Sequence, residues 1–338
     1  MSQMNWDREV DVLVVGTGNG GLTAAVCNWE MGTKDVLIIE KQDKVGGTSA
    51  TSGGGIWIPN SHYAKEVGAE DSPEAAKAYL MNTLFGEDVP EEMIDIYLEK
   101  APEMLKYLHD RTDVRYESLA EYPDYYTNME GAREGHRSLE PAPIMASELG
   151  ANWKNMTWTH FMMRMFNRIH FTQVEAHLLM VQLPGWKKLL ARLMWDYVRD
   201  IPWRLKTPIS RRLACGSAGV ARLYLSVLKR DIPLEFNTQM VELIADGDTV
   251  LGAVIECNGQ RQRVRAAKGV ILASGGFEKN QALREQYLPA PTNTTWSAGN
   301  PGNEGDALLA GLELGAKTRL MNDAWWTRSE EHTSELQS

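Results

Sequence analysis

The chain has 338 residues, 43% hydrophobic and 24% charged, the balance of a globular protein with room for one large α/β domain or a domain and part of a second. A formal net charge of -10 gives no electrostatic support for nucleic-acid binding. Cys27, Cys215 and Cys257 are far apart and odd in number, which fits neither a disulfide framework nor a metal site; they read as reduced thiols of a cytoplasmic protein.

In chain order, the first feature is the uncharged stretch Val12 to Trp29, long enough to raise a signal-peptide or membrane question. Its glycines and Asn19, and the acidic Asp7, Glu9 and Asp11 ahead of it, argue for a βαβ unit instead. Val10 to Val15 reads as a strand buried on both faces, Leu22 to Met31 as a helix stopped by Gly32, and Val36 to Ile39 as a second buried strand ending on Glu40. Ser72-Pro73-Glu74 predicts a capped helix start, and a further helix begins near Pro90, interrupted or restarted at Pro102. Residues 111–157 are loop-rich, and 160–230 are rich in Met, Leu, Trp and Arg. Met240-Ala245, Val250-Glu256 and Arg261-Arg265, with turns at Asp246-Gly247-Asp248 and Asn258-Gly259, predict an antiparallel meander. Val270 to Ala273 follows as another buried strand.

Gly16-Thr17-Gly18-Asn19-Gly20-Gly21 is a G-x-G-x-x-G between a buried strand and a helix. Gly16 permits the tight turn, Gly18 lets backbone approach a pyrophosphate, and Gly21 lets helix and strand pack closely. The helix N-terminus offers N–H groups and a positive dipole end to phosphates. Glu40, 19 residues after Gly21, is placed to accept hydrogen bonds from an adenosine ribose, and a carboxylate there argues against NADP. A second run follows Glu40-Lys41: Gly46, Gly47, Thr48, Ser49, Ala50, Thr51, Ser52, Gly53 and Gly54. It suits a backbone hugging an extended cofactor, with Thr48, Ser49 and Ser52 offering hydroxyls. A surface loop is the alternative, but its apolar ending Ile56-Trp57-Ile58 is costly to leave in water. Ala273-Ser274-Gly275-Gly276 is a third strand-to-glycine exit, and Asn300 to Asp306 opens the apolar helix Ala307-Leu314.

These motifs together resemble the fumarate reductase/succinate dehydrogenase flavoprotein superfamily. Ser52 to Asn60, Tyr122-Pro123-Asp124-Tyr125-Tyr126, Ala273 to Asn280, Gly302 to Asp306 and Asp323 to Trp326 are similar to its 3-ketosteroid Δ1-dehydrogenase branch. Ser274, where the family has alanine or threonine, and Ala307, where it mostly has glycine, depart from the pattern.

The resemblance implies an α/β, Rossmann-like FAD-binding domain with a helical insertion and β-meander, most of its cap missing. It assigns FAD contacts to Gly16, Gly18, Asn19, Gly20, Gly21, Glu40, Lys41, Gly47, Thr48, Ser49, Ser52, Gly53, Gly54, Ala273, Gly275, Gly276, Gly305 and Asp306. The covalent relatives carry a histidine ahead of the second glycine run; Gln42 to Gly47 has none, so the FAD is expected to be non-covalent.

The implied reaction is 1,2-desaturation of a 3-oxosteroid or similar cyclic ketone: a tyrosine pair removes the C2 proton while flavin N5 takes hydride from C1. Tyr125 matches the helper tyrosine, with Tyr122 and Tyr126 as alternatives; all three could instead simply pack the loop. The implied partners are a lipophilic, steroid-like substrate and an external electron acceptor. Rival readings are a fumarate-reductase-like enzyme acting on a dicarboxylate or enoate, and an FAD-binding fragment without catalysis.

His170 and His177, seven apart on one helical face, read as core or surface positions rather than a site. The arginine-rich stretch Met162 to Arg212 could rest on a membrane surface, and reads better as an insertion packed on its own domain. Residues 328–338 break every earlier pattern and look like a translated sequencing adapter, so the natural chain is expected to continue past Thr327. The expected organisation is an FAD domain over 1–320 with the insertion at about 65–230, the start of a cap over 321–327, and a non-native tail making no core contacts.

Overall fold

The structure, a computed structural model, describes residues 5–324; the tail over 328–338 and the end of the cap start lie outside the described residues. The chain forms two compact units, one ending at Ala273 and the other beginning at Ser274.

The first unit is built on a six-stranded sheet. Its order is Leu234–Glu235, Val36–Ile39, Arg8–Val15, Gln260–Leu272, Thr249–Cys257 and Thr238–Asp246. The first four strands run parallel and the last three form the antiparallel meander. Apolar residues on both faces of Val12–Val15 and Val36–Ile39 explain why the parallel strands sit at the centre: all eight are buried. Val12, Val14, Val36 and Ile38 share one core with Leu22, Ala25 and Val26 of the helix Asn19–Glu30. That helix stops where predicted, at Gly32, whose φ of 103° only glycine adopts easily. The meander turns also stand as read: Asn258 and Gly259, both at positive φ, join Cys257 to its partner Gln260.

Four expectations change. The strand ending the meander and the strand before Ala273 are one element, Gln260–Leu272, because its one extra residue is taken up as a bulge, Ala267 and Lys268 standing opposite the single Asp11. Its last residues are part-exposed or exposed rather than buried. Pairing with Thr249–Cys257 stops at Arg265, which leaves Val270–Leu272 with a strand neighbour on one side only. Pro102 neither interrupts nor restarts its helix, which runs unbroken over Glu91–Arg111; Ala101, Leu105 and Leu108 bury one face and hold it across the lost N–H. His170 and His177 do not share a helical face. His170 is on the short strand Ile169–His170 and His177 is in the helix Gln173–Met180.

The helix Cys215–Leu228 falls inside the span read as insertion but lies in the central core, packed on Asn19–Glu30 and on the short helix Gly47–Thr51. Small residues make this approach feasible. Gly216 N–H donates to Ser52 O at 3.0 Å, and a Cβ on Gly216 would lie 2.1 Å from Ser49 O and 2.6 Å from Ser52 O. Gly216→Ala is therefore expected to destabilise the fold by about 2–3 kcal/mol, in the upper part of the overpacking range. Urea unfolding of wild type and variant measures this directly; an unchanged midpoint would show that the two helices can part without cost.

Candidate functional site

The first glycine run closes the turn from Arg8–Val15 into Asn19–Glu30. Gly16 has φ 103° and its N–H donates to Ile39 O at 2.9 Å. The glycines then divide by what needs them. A Cβ on Gly21 would stand 2.1 Å from Gly16 O, so Gly21 serves the protein's own packing. A Cβ on Gly20 would meet nothing closer than Ala273 Cβ at 4.0 Å, and one on Gly18 only Ser49 Oγ at 3.2 Å. Internal packing gives little reason for glycine at 20, and at 18 only the tight approach to the Ser49 hydroxyl, whereas backbone approach by a ligand gives one at both. Leu22 N–H makes the first intrahelical bond, to Gly18 O, so Gly20 and Gly21 N–H stand ahead of the ladder. Asn19 N–H is spent on Ser49 Oγ at 3.1 Å, and Asn19 Oδ1 is buried without a partner among the described residues.

Glu40 is 9% exposed. Its Oε2 accepts from Thr17 N–H at 3.2 Å and from the Thr17 hydroxyl; its Oε1 accepts from Gln42 N–H at 3.0 Å. Burial pushes the carboxyl above the usual range, against the pull of these hydrogen bonds. Thr17 Oγ1 also accepts from Gly46 N–H at 3.0 Å, so the three together fasten the first run to the second. Lys41 follows, part-buried.

The second run opens as a helix. Gly46, at φ 116°, starts the short helix Gly47–Thr51. Ser49 and Ser52 hydroxyls are engaged by the loop itself. Ser49 takes Asn19 N–H, while Ser52 Oγ donates to Ser49 O at 2.9 Å and accepts from Gly54 N–H at 3.0 Å. Gly53 O accepts from Gln173 Nε2 at 3.2 Å, and Gly54 at φ 72° abuts Gly216 N, which a Cβ would approach to 2.6 Å. Thr17, Gln173 and Gly216 were not legible as site residues. The small-residue run Cys215-Gly216-Ser217-Ala218-Gly219, amid bulky neighbours, was the one available signal.

Ala273 ends the strand Gln260–Leu272 beside the first run: its N–H donates to Val15 O at 2.9 Å. In the second unit, Gly275-Gly276 and Gly305-Asp306 are held by one network. Asn303 Nδ2 donates to Glu278 Oε1 at 2.7 Å, and Lys279 N–H donates to Asn303 O at 2.9 Å. Gly275 at φ 86° lies against Asn303, and Gly305 at φ 88° lies against Phe277 and Leu283 and leads into the helix Asp306–Glu313.

The tyrosine loop hangs on a buried charge cluster. Arg137, 2% exposed, donates to both oxygens of Asp71 at 2.8 and 2.9 Å and to Asp124 Oδ2 at 2.8 Å. Burial pushes the Asp71 carboxyl up, but the guanidinium outweighs it and holds the group below its ordinary value. Asp124 also accepts from Trp57 Nε1 at 2.6 Å and Arg133 N–H at 2.9 Å, tying the loop to the strand Ile56–Trp57 that ends the second run. Tyr125 is 67% exposed, and Tyr122 and Tyr126 are also exposed. Burial and the neighbouring Tyr125 push the Tyr122 hydroxyl up. His170 is buried, as one of the expected alternatives has it, and among the described residues no cluster of His, Cys, Asp or Glu could hold a metal.

The donor set fits a dinucleotide: a helix N-terminus with two glycines that leave room for backbone approach, and a buried acceptor carboxylate at the end of the next strand. Comparison with known proteins agrees. The family described as FAD binding domain matches residues 11–328, and the chain belongs to it. The chain is 35% identical over 330 residues to a 3-oxosteroid 1-dehydrogenase of Mycobacterium tuberculosis, covering 94% of this chain and 56% of that protein. It is 31% identical over 322 residues to a 4-oxocyclohexanecarboxylate 2-dehydrogenase of Sinomonas cyclohexanicum, covering 94% of this chain and 51% of the relative. Its structure is similar to the 3-ketosteroid Δ1-dehydrogenase of Sterolibacterium denitrificans in complex with 1,4-androstadiene-3,17-dione. That likeness has a TM-score of 0.90 and 39% identity, covering 94% of this chain and 57% of the other. The chain thus spans little more than half the length of these relatives. The α/β fold is that of an FAD-binding domain, and the cofactor is FAD.

The two kinds of glycine predict opposite mutational signatures. Gly20→Ala should leave the apo fold as stable or more stable by about 0.5–1 kcal/mol, from helix propensity, while weakening FAD binding. Gly21→Ala should lower apo stability by about 1–3 kcal/mol. Thermal unfolding without FAD, set beside a flavin titration, separates them; equal losses of stability in both variants would refute the division.

Proposed function

From this membership, we propose that the full-length protein is an FAD-dependent dehydrogenase of a 3-oxosteroid or similar cyclic ketone, introducing a double bond between C1 and C2. The observation that carries the reading is the likeness to the steroid dehydrogenases across nearly the whole chain, glycine runs and tyrosine loop alike. The Sinomonas relative supports the wider class, a ring ketone without a steroid skeleton.

FAD, when bound, supplies the two-electron acceptor. The residues proposed to hold it without a covalent bond are Gly16, Gly18, Asn19, Gly20, Gly21, Glu40, Lys41, Gly47, Thr48, Ser49, Ser52, Gly53, Gly54 and Ala273; the roles of Gly275, Gly276, Gly305 and Asp306 rest on the resemblance. Gly20 and Gly21 N–H face the pyrophosphate in this reading, and Glu40 Oε1, with one acceptor position beyond Gln42 N–H, takes a ribose hydroxyl. Tyr125 serves proton removal next to the carbonyl as the helper of a main tyrosine base. Such a hydroxyl must be held in place to be useful, and the Asp124 contacts to Arg137 and Trp57 fix its loop.

Electrons leave to an external acceptor, and the compartment proposed is the cytoplasm. Among the described residues no helix is long and apolar enough to cross a membrane.

FAD should come off fully on acid precipitation, and Gly18→Val should abolish its binding. In the full-length protein, a 3-oxo-4-ene steroid with a dye acceptor should give the 1,4-diene. Tyr125→Phe should cut turnover by roughly 10²-fold or more, the usual share of general acid–base catalysis, with FAD content unchanged. Reduction of fumarate by a reduced dye, with no steroid turned over, would favour the dicarboxylate enzyme. Bound FAD with neither activity would favour a binding role without catalysis. Flavin remaining on the acid-precipitated protein would overturn the non-covalent assignment.

A further inference from the structure

Outside the flavin-side residues, the arginine-rich segment encloses a cavity of about 560 Å³ between the helices Trp186–Arg199 and Ile201–Arg204 and the strand Ile169–His170. That volume is in the range of sites for drug-sized ligands. Ile169, Leu193 and Trp203, each under 10% exposed, form apolar wall, and Met145 stands at the exposed rim.

The charges on the wall do not cancel. Arg199 pairs with Asp196 at 2.8 Å, and Arg211 takes both oxygens of Asp200, one at 2.8 Å. Arg212 shares Glu175, which it meets at 2.8 and 3.2 Å, with Arg192 at 2.9 Å. His170 adds no charge, since burial drives its imidazole down to about 3. Its Nδ1 lies 3.1 Å from Ser210 Oγ, whose own hydroxyl donates to Arg212 O, so Nδ1 is the donor of that pair. Arg204 remains. Its Nη2 donates to Val198 O and its guanidinium lies 5.4 Å from the Tyr197 ring centroid, while Nε is buried without a partner. No carboxylate among the described residues pairs with it. Positive charge is in excess around a largely apolar cavity, and Arg204 carries it without any carboxylate partner; the low dielectric there magnifies its attraction for an anion.

We propose that this cavity binds a small amphipathic monoanion, with its apolar body against Leu193 and Trp203 and its carboxylate or sulfonate paired with Arg204. The site is separate from the dehydrogenation reading and does not depend on it.

The test titrates the full chain, saturated with FAD, with decanoate and with decanol, by calorimetry. Saturating FAD keeps the flavin site from contributing. Decanoate should bind roughly tenfold or more tighter than decanol, the worth of one charge-assisted hydrogen bond. Arg204→Gln should abolish that preference while leaving decanol affinity unchanged. Met145→Trp, which keeps the charge but obstructs the rim, should weaken both ligands, and circular dichroism should confirm that both variants are folded. Equal binding of the two ligands by wild type, no binding of decanoate, or a preference that survives Arg204→Gln would each overturn the proposal.

Discussion

The carboxylate of Glu40 accepts three hydrogen bonds, two from Thr17 and one from Gln42, in a place where water hardly reaches. An unpaired carboxylate so buried would cost several kcal/mol, so the arrangement of its donors is not free to vary. Thr17 belongs to the first glycine turn and through its hydroxyl holds Gly46, the start of the second. The Glu40 backbone meanwhile donates to Glu235 and accepts from Thr238, joining the outer parallel strand to the entry of the meander. Both glycine runs and three strands thus take their positions from one residue. The same carboxylate is the proposed ribose acceptor, so binding and folding make demands on the same few atoms.

What could be read from the chain was whatever depends on local spacing. The six-residue glycine turn, the Gly32 stop, the Ser72 cap and the Asn258-Gly259 hairpin each follow from φ/ψ demands within a few residues. Ser72 does accept from Ala75 N–H at 3.0 Å. The packing role of Gly21 was in the motif, but the open space at Gly20 was not, because it depends on how near Ala273 comes in space.

Distant partners were the unreadable part. Arg137 is an ordinary arginine in a loop-rich stretch, yet it is almost wholly buried between Asp71 and Asp124. No periodicity announces a cation enclosed by two carboxylates, one 13 and the other 66 residues away. The helix Cys215–Leu228 was masked by its neighbours: a window rich in Arg, Met and Trp reads as peripheral, while the small residues that let this helix approach Ser49 and Ser52 resemble a linker. The fusion of two apparent strands into Gln260–Leu272 was hidden for a similar reason. Ala267-Lys268-Gly269 carries no strand pattern, and only a bulge there, two residues opposite Asp11, lets the ladder continue through it.

That long strand has a consequence for synthesis on the ribosome. Glu9 and Arg265, joined by a salt bridge across the parallel ladder, are 256 residues apart. Arg8–Val15 leaves the ribosome well ahead of this neighbour, by the 256 residues that separate Glu9 from Arg265. At usual elongation rates the interval is on the order of tens of seconds, far longer than helix formation or hydrophobic collapse. Throughout it, one edge of an intensely apolar strand has no partner of its own, which makes the nascent chain a natural client for chaperones. Arg8, Glu9 and Asp11, charges set along that strand's first half, restrain the pairing of one nascent chain with another during the wait.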